Sequence, residues 1–310
     1  MSIMRSVLLA GAESAWLREK ATRTGFVRRS VTRFMPGETI EDALEACRRQ
    51  QADRHGGTLL TRLGENVTNP AEAEAVTAHY LDAMDRIAAL GLDTHPSVKL
   101  TQLGLDLGLE ACERNLRQLV ARAEARSSMI WIDMESSKYV DATIGLFRRM
   151  REGSTAVGLC LQAYLRRTPA DLEALRPLAP AIRFVKGAYK EPADIVLPRK
   201  ADVDEQFFRL SSRMLEPGLP EGTFLGIGTH DPALIARLRA VVAERGVTPS
   251  SYEVAMLYGI QRPLQARLRA EGVPLRVLVA YGEYWFPWYM RRLAERPANV
   301  LFVVKNLVAG

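Results

Sequence analysis

Several common functional signatures are missing from this 310-residue sequence. No Gly-x-Gly-x-x-Gly follows a candidate strand and no P-loop is present, which argues against Rossmann-type dinucleotide binding. No Gly-x-Ser-x-Gly elbow is present to mark a serine hydrolase. The four histidines (His55, His79, His95 and His230) show no His-x-x-x-His spacing, so a three-histidine zinc centre is not expected, and no metal site is assigned. The three cysteines, Cys47, Cys112 and Cys160, form no Cys-x-x-Cys pair and are odd in number. They read as buried thiols in a reducing compartment. Long apolar runs are absent too. Val7 to Ala12 is too short to span a bilayer and lacks a signal-peptide layout, so a cytoplasmic location is expected, with peripheral contact at the inner membrane left open.

The remaining composition is that of a globular protein, 47% hydrophobic and 25% charged. A net charge of +6 raises the question of nucleic acid. However, the basic residues are dispersed and usually sit near Glu or Asp at helical spacing, the pattern of a solvated surface, and no nucleic-acid partner is expected.

What is present is a series of short apolar runs, each ending in a residue able to do chemistry. Leu59 to Gly64 ends in Glu65, Pro96 to Val98 in Lys99, Ser128 to Ile132 in Asp133, and Ala156 to Leu161 in Gln162. Ala181 to Val185 ends in Lys186, Thr223 to Gly228 in Thr229–His230, Ser251 to Ala255 in Met256–Leu257, and Leu275 to Ala280 in Tyr281. Stretches of helical period separate most of these runs, as in parallel βα units. Eight such units predict an α/β protein, a TIM-type (β/α)8 barrel, with the active site at the carboxyl ends of the strands.

Asn69–Pro70 and Asp231–Pro232 are cap-plus-proline signals that open helices ending near Leu90 and Arg245. Further helices are expected over 109–126, 141–151, 169–175, 204–214 and 260–270, and a last one from Trp285 to near Glu295. Ser14 to Gln51 reads as two or three short helices. Residues 1–55 are therefore assigned to an N-terminal helical extension and 56–310 to the catalytic barrel. The apolar tail Val300 to Gly310 is open between a closing element and a hydrophobic surface segment.

Arg291–Arg292, on the last expected helix, would suit a carboxylate or phosphate clamp. Adjacent helical residues diverge by about 100°, so both reach one anion only if the helix lies across the barrel mouth. The alternative is a surface pair neutralised by Glu295. Lys99 at a strand end suits an anion clamp, a Schiff-base nucleophile or a structural ion pair. Asp133 could be a general base, a metal ligand or an orienter of neighbouring donors. Gly187 and Ala188 are small enough for a planar ligand to approach the backbone. Thr229 and His230 precede a helix N-terminus, which suits an anion or merely a capping turn.

Together these segments resemble the proline dehydrogenase family, both its stand-alone bacterial enzymes and the corresponding domain of bifunctional proline utilisation proteins. The similarity runs from Leu59 to the end. It includes Ser97–Val98–Lys99–Leu100, Ile132–Asp133–Met134–Glu135, Leu161–Gln162–Ala163–Tyr164–Leu165, and Arg183 with Val185–Lys186–Gly187–Ala188–Tyr189. It continues through Gly228–Thr229–His230–Asp231, Met256–Leu257–Tyr258–Gly259, Tyr281–Gly282 and Arg291–Arg292–Leu293.

The resemblance implies a distorted (β/α)8 barrel holding FAD, and oxidation of L-proline to 1-pyrroline-5-carboxylate with electrons passed to a quinone. Asp133 and Arg183 would be the catalytic or flavin-tuning pair. Lys99, Arg291 and Arg292 would hold the proline carboxylate, with Tyr189, Leu257 and Trp288 around the ring. Met134, Gln162, Arg183, Lys186, Gly187, Ala188, Thr229 and His230 would surround FAD. Two positions depart from the family pattern: Leu278 stands where an aromatic is expected, and Trp288 where Tyr is usual. Glu65 and Arg291 are assigned to a rim ion pair that gates the site. Transient contact with a membrane surface or a pyrroline-5-carboxylate dehydrogenase is left open. The competing enzyme class is a barrel aldolase using Lys99 as Schiff-base nucleophile.

If Arg291 and Arg292 clamp a carboxylate, replacing either with Met should remove about 2–5 kcal/mol of transition-state binding while FAD stays bound. Steady-state kinetics check this, and near-wild-type kcat/KM in both variants would return the arginines to the surface pair.

Overall fold

The computed structural model describes residues 31–52, 56–64 and 67–294, with the side chains of residues 287 and 291–294 outside that description. Helix α1 (Ile40–Gln51) precedes eight strands: β1 (Thr58–Arg62), β2 (Thr94–Lys99), β3 (Ile130–Asp133), β4 (Val157–Gln162), β5 (Ala181–Val185), β6 (Phe224–Gly228), β7 (Tyr252–Leu257) and β8 (Leu275–Tyr281). They pair in parallel in sequence order and close through β1 and β8, the (β/α)8 barrel expected. The intervening helices are α2 (Pro70–Ala89), α3 (Leu109–Ala125), α4 (Val140–Arg151), α5 (Thr168–Leu175), α6 (Lys200–Arg213), α7 (Pro232–Arg245) and α8 (Arg262–Ala270), and α9 (Trp285–Ala294) follows β8. Among the described residues no helix is long and apolar enough to cross a membrane.

The cap signals act as read. Asn69 accepts from the Glu72 amide at 3.0 Å, and Asp231 accepts from Ala233 at 3.1 Å, each ahead of a first-turn proline. Several boundaries shift from expectation, and two of the shifts have a visible cause. α6 begins at Lys200 rather than Asp204, its first turn held by the Arg199–Asp202 pair at 2.7 Å and by Lys200–Asp204. β1 ends at Arg62 rather than Gly64, because the buried Gln102 amide takes the carbonyls of Arg62 (3.0 Å) and Gly64 (2.7 Å) and turns the chain. The three thiols are free and buried.

Period two along the strands divides two environments. Val98, Ile132, Leu159, Leu161, Ile182, Phe184, Ile227 and Val254 point outward into the large core shared with the helices. Leu59, Trp131, Ala181 and Ala255 cluster inside the barrel with Phe224 and Leu278. Glycines give the largest interior side chains room. A Cβ on Gly158 would lie 2.6 Å from the Trp131 ring, and one on Gly226 3.0 Å from Arg183 Cβ.

The ends of the barrel are closed differently. At the amino end, Arg276 of β8 reaches Glu253 at 2.8 Å and Asp93 at 2.9 Å, beside His95 of β2. α1 buries Ala43, Leu44, Ala46 and Cys47 against Leu60, Val279 and Tyr281, covering the outside of the β1–β8 seam. The helix after β8 would occupy that place in a regular barrel. Here α9 instead packs Trp285, Phe286, Trp288 and Tyr289 with Leu63, Ile260, Leu257 and Leu278 over the carboxyl end. Residues 1–30, 53–55 and 295–310 lie outside the described residues, so most of the assigned N-terminal extension and the apolar tail are not placed.

His95 generates a pH prediction. Burial first, and then the nearby Arg276 charge, push its pKa below the ordinary imidazole value, with Asp93 opposing. The unfolded chain therefore binds the proton first as pH falls below about 6.5, and stability should decline with acidity through that window. Denaturation midpoints against pH check this: His95→Gln should flatten the slope, and an unchanged slope would contradict it.

Candidate active site

The carboxyl ends of the strands enclose a cleft of about 170 Å³ lined by Thr61, Leu63, Lys99, Asp133, Ala188, Tyr189, Leu257, Leu278 and Trp288. Lys99 and Asp133 are register partners on β2 and β3. Tyr189 and Ala188 come from the loop after β5, Leu257 and Leu278 from the paired ends of β7 and β8, and Trp288 from α9. The helix bearing Arg291 and Arg292 therefore lies across the mouth, the condition under which both could serve one anion. Their side chains, and Glu65 of the assigned gate, lie outside the described residues.

Directly beneath the cleft is a buried polar knot. Arg183 of β5, only 4% exposed, pairs through Nη2 with Asp133 Oδ1 and donates to Ser97 Oγ at 2.9 Å. Ser97 in turn donates to the same Asp133 oxygen at 2.8 Å. The guanidinium lies over the Trp131 ring, 5.0 Å from its centroid, within cation–π range. Burial opposes the arginine's charge most strongly, but Asp133, Cys160 and Glu253 together outweigh it and raise the pKa above the ordinary value. Arg183 Nη1 is buried without a hydrogen-bond partner among the described residues.

Gln162, at the end of β4, donates to the Met134 carbonyl at 3.2 Å, and its Oε1 is likewise buried and unpartnered. Native proteins rarely leave such groups orphaned. One unused donor and one unused acceptor beside the cleft fit a planar, polar heterocycle.

Some expected cofactor residues are engaged with protein groups. Lys186 Nζ contacts Asp204 at 2.6 Å and Asp231 at 3.0 Å. Burial raises the Asp231 pKa, but Lys186 and the amides it caps hold it below the usual carboxylate range. His230 Nε2 accepts the Leu257 amide at 2.9 Å, which leaves Nδ1 to carry the proton of the neutral ring and anchors the end of β7. Thr229 Oγ1 accepts from the Asp231 amide at 3.2 Å. Gly187 adopts φ +113°, and a Cβ there would lie 2.2 Å from the Tyr164 ring. The glycine thus serves the packing of Tyr164 beneath the loop that carries Ala188 and Tyr189.

The sequence reading did not single out Thr61, Leu63, Trp131 or Ser97 for the site. Ser97 and Trp131 were findable, because both lie two residues before a strand-end charge and so share its face. The contribution of Leu63 depends on α9 folding over the mouth, which no local pattern specifies.

Comparison with known proteins settles the family. A proline dehydrogenase family model matches residues 43–305. The chain belongs to the proline dehydrogenase family. It is 35% identical over 306 residues to proline dehydrogenase 1 of Bacillus subtilis, covering 99% of each chain. It is 37% identical over 287 residues to proline dehydrogenase of Deinococcus radiodurans, covering 90% of each. Among solved structures, proline utilization A of Bdellovibrio bacteriovorus inactivated by N-propargylglycine superposes with a TM-score of 0.79 at 20% identity, over 86% of this chain and 32% of that one. A substituted Bradyrhizobium japonicum proline utilization A gives a TM-score of 0.71 at 23% identity, over 86% and 31%. This chain thus spans about a third of those longer proteins, and the likeness to them is one of fold. Family membership favours the dehydrogenase over the Schiff-base aldolase reading of Lys99.

Gly187→Ala should destabilise the protein by about 1–3 kcal/mol, from strained backbone and overlap with Tyr164. Chemical denaturation checks this, and an unchanged midpoint would contradict the packing role assigned to Gly187.

Proposed function

We propose that this chain oxidises L-proline to 1-pyrroline-5-carboxylate, with FAD as the immediate acceptor and a quinone as the eventual one. The observation that carries the reading is the pairing of a mostly apolar cleft, with Lys99 and Asp133 in its wall, with polar atoms on Gln162 and Arg183 that no described residue satisfies. The quinone rests on family resemblance alone. FAD, when bound, supplies the acceptor for the hydride that leaves C5 of proline. Met134, Gln162, Arg183, Lys186, Gly187, Ala188, Thr229 and His230 are the residues proposed to hold it.

The chain's own groups divide the remaining work. Lys99, with Arg291 and Arg292, fixes the substrate carboxylate and so the position of C5, an orientation effect worth several kcal/mol. Tyr189, Leu257, Leu278 and Trp288 wall the saturated ring and exclude water. Loss of the hydride and the amine proton converts the C5–N single bond to C=N. Hydride loss from a neutral amine leaves a protonated C=N, acidic enough to give its proton to solvent water without a strong base, so Asp133 acts as an orienter rather than a proton acceptor. Arg183 provides permanent positive charge below the reacting atoms.

The visible spectrum of the purified protein tests this reading. Flavin bands that bleach on anaerobic addition of L-proline are expected. A correctly folded, flavin-free preparation that cannot be reconstituted with FAD would contradict it.

A further inference from the structure

Ser97 is fully buried on β2, two residues before Lys99, and its hydroxyl lies between the two charges of the knot. The directions of its hydrogen bonds are determined by chemistry. A guanidinium only donates, so Ser97 Oγ must accept from Arg183 Nη2 at 2.9 Å. The single serine proton is then directed to Asp133 Oδ1 at 2.8 Å. Arg183 also reaches Oδ1 directly, so both donors converge on one carboxylate oxygen. No described residue hydrogen-bonds Oδ2, and Asp133 forms part of the cleft wall. The serine backbone is held as well: Tyr80 Oη donates to the Ser97 carbonyl at 3.3 Å and accepts from the Arg62 amide at 2.9 Å.

We propose that Ser97 is a positioning residue for Asp133, holding its carboxylate in the one orientation that turns Oδ2 toward the ring amine of the substrate. This rests on the proline-oxidising reading above, in which Asp133 faces the substrate. The terminal torsion of an aspartate is broad and nearly two-fold, so one donor alone leaves the carboxylate room to turn. A second donor on the same oxygen, from a side chain with no freedom of its own, removes that room. Ser97 is not among the residues lining the cleft, so it bears on the substrate through Asp133.

The test is a double-mutant cycle in the holoenzyme. Ser97→Ala should lower kcat about 10- to 100-fold, the range for a hydrogen bond to a charged group, with KM little changed. Bound-flavin content should stay near wild type, while the melting temperature falls because Arg183 and Asp133 each lose a hydrogen-bond partner, so kcat is compared well below the melting transition. In an Asp133→Ala background, Ser97→Ala should produce no further loss of kcat, because the group it positions is gone. Ser97→Cys, which keeps the shape with a weaker donor, should fall between Ser and Ala and serves if the alanine variant does not fold. Unchanged kcat in a folded Ser97 variant, or an equal additional loss in the Asp133→Ala background, would overturn the proposal. An inactive, FAD-loaded wild type would instead overturn the parent reading.

Discussion

The structure turns on a positive charge kept inside a barrel. Arg183 has almost no exposure to water, and a guanidinium cannot shed its charge to escape burial. It therefore needs a carboxylate, which Asp133 supplies; a second acceptor, which Ser97 supplies; and a π-face, which Trp131 supplies. Each partner imposes further requirements. The Trp131 ring fits because position 158 is glycine, and a side chain at position 226 would crowd the arginine stem. Much of the middle layer of the barrel can be understood as the environment of one cation.

That layer separates two ends with different tasks. The amino end is sealed by Arg276, Glu253 and Asp93, an ion-paired plug that lies far along the strands from the cleft. The carboxyl end is roofed by α9, while α1 occupies the outer seam between β1 and β8. The site is thus shaped by α9 as well as by the strand ends, and α1 contributes no residue to the cleft.

The barrel was legible because each strand is short, apolar and followed by a helical stretch with clear caps, as at Asn69–Pro70 and Asp231–Pro232. The strand-end residues Lys99, Asp133 and Leu257 were legible for the same reason. The interior was harder to read. Strands buried on both faces show weak alternation, so nothing local marks Ser97 and Val98 as facing opposite sides. The cofactor roles of Lys186 and His230 are implied by family resemblance, and their protein partners, Asp204 and the Leu257 amide, are set by tertiary packing that no local pattern specifies. The placement of Trp288 depended on where α9 lies, which is set by its packing over the carboxyl end of the barrel.

Arg183 and Asp133 stabilise each other as a pair rather than singly, and their coupling in equilibrium denaturation measures this. Arg183→Met alone should be strongly destabilising, by about 3–5 kcal/mol, because it strands a carboxylate. The double variant with Asp133→Asn should recover a substantial part of that loss. A double variant as unstable as the sum of the two singles would show that the two residues act independently.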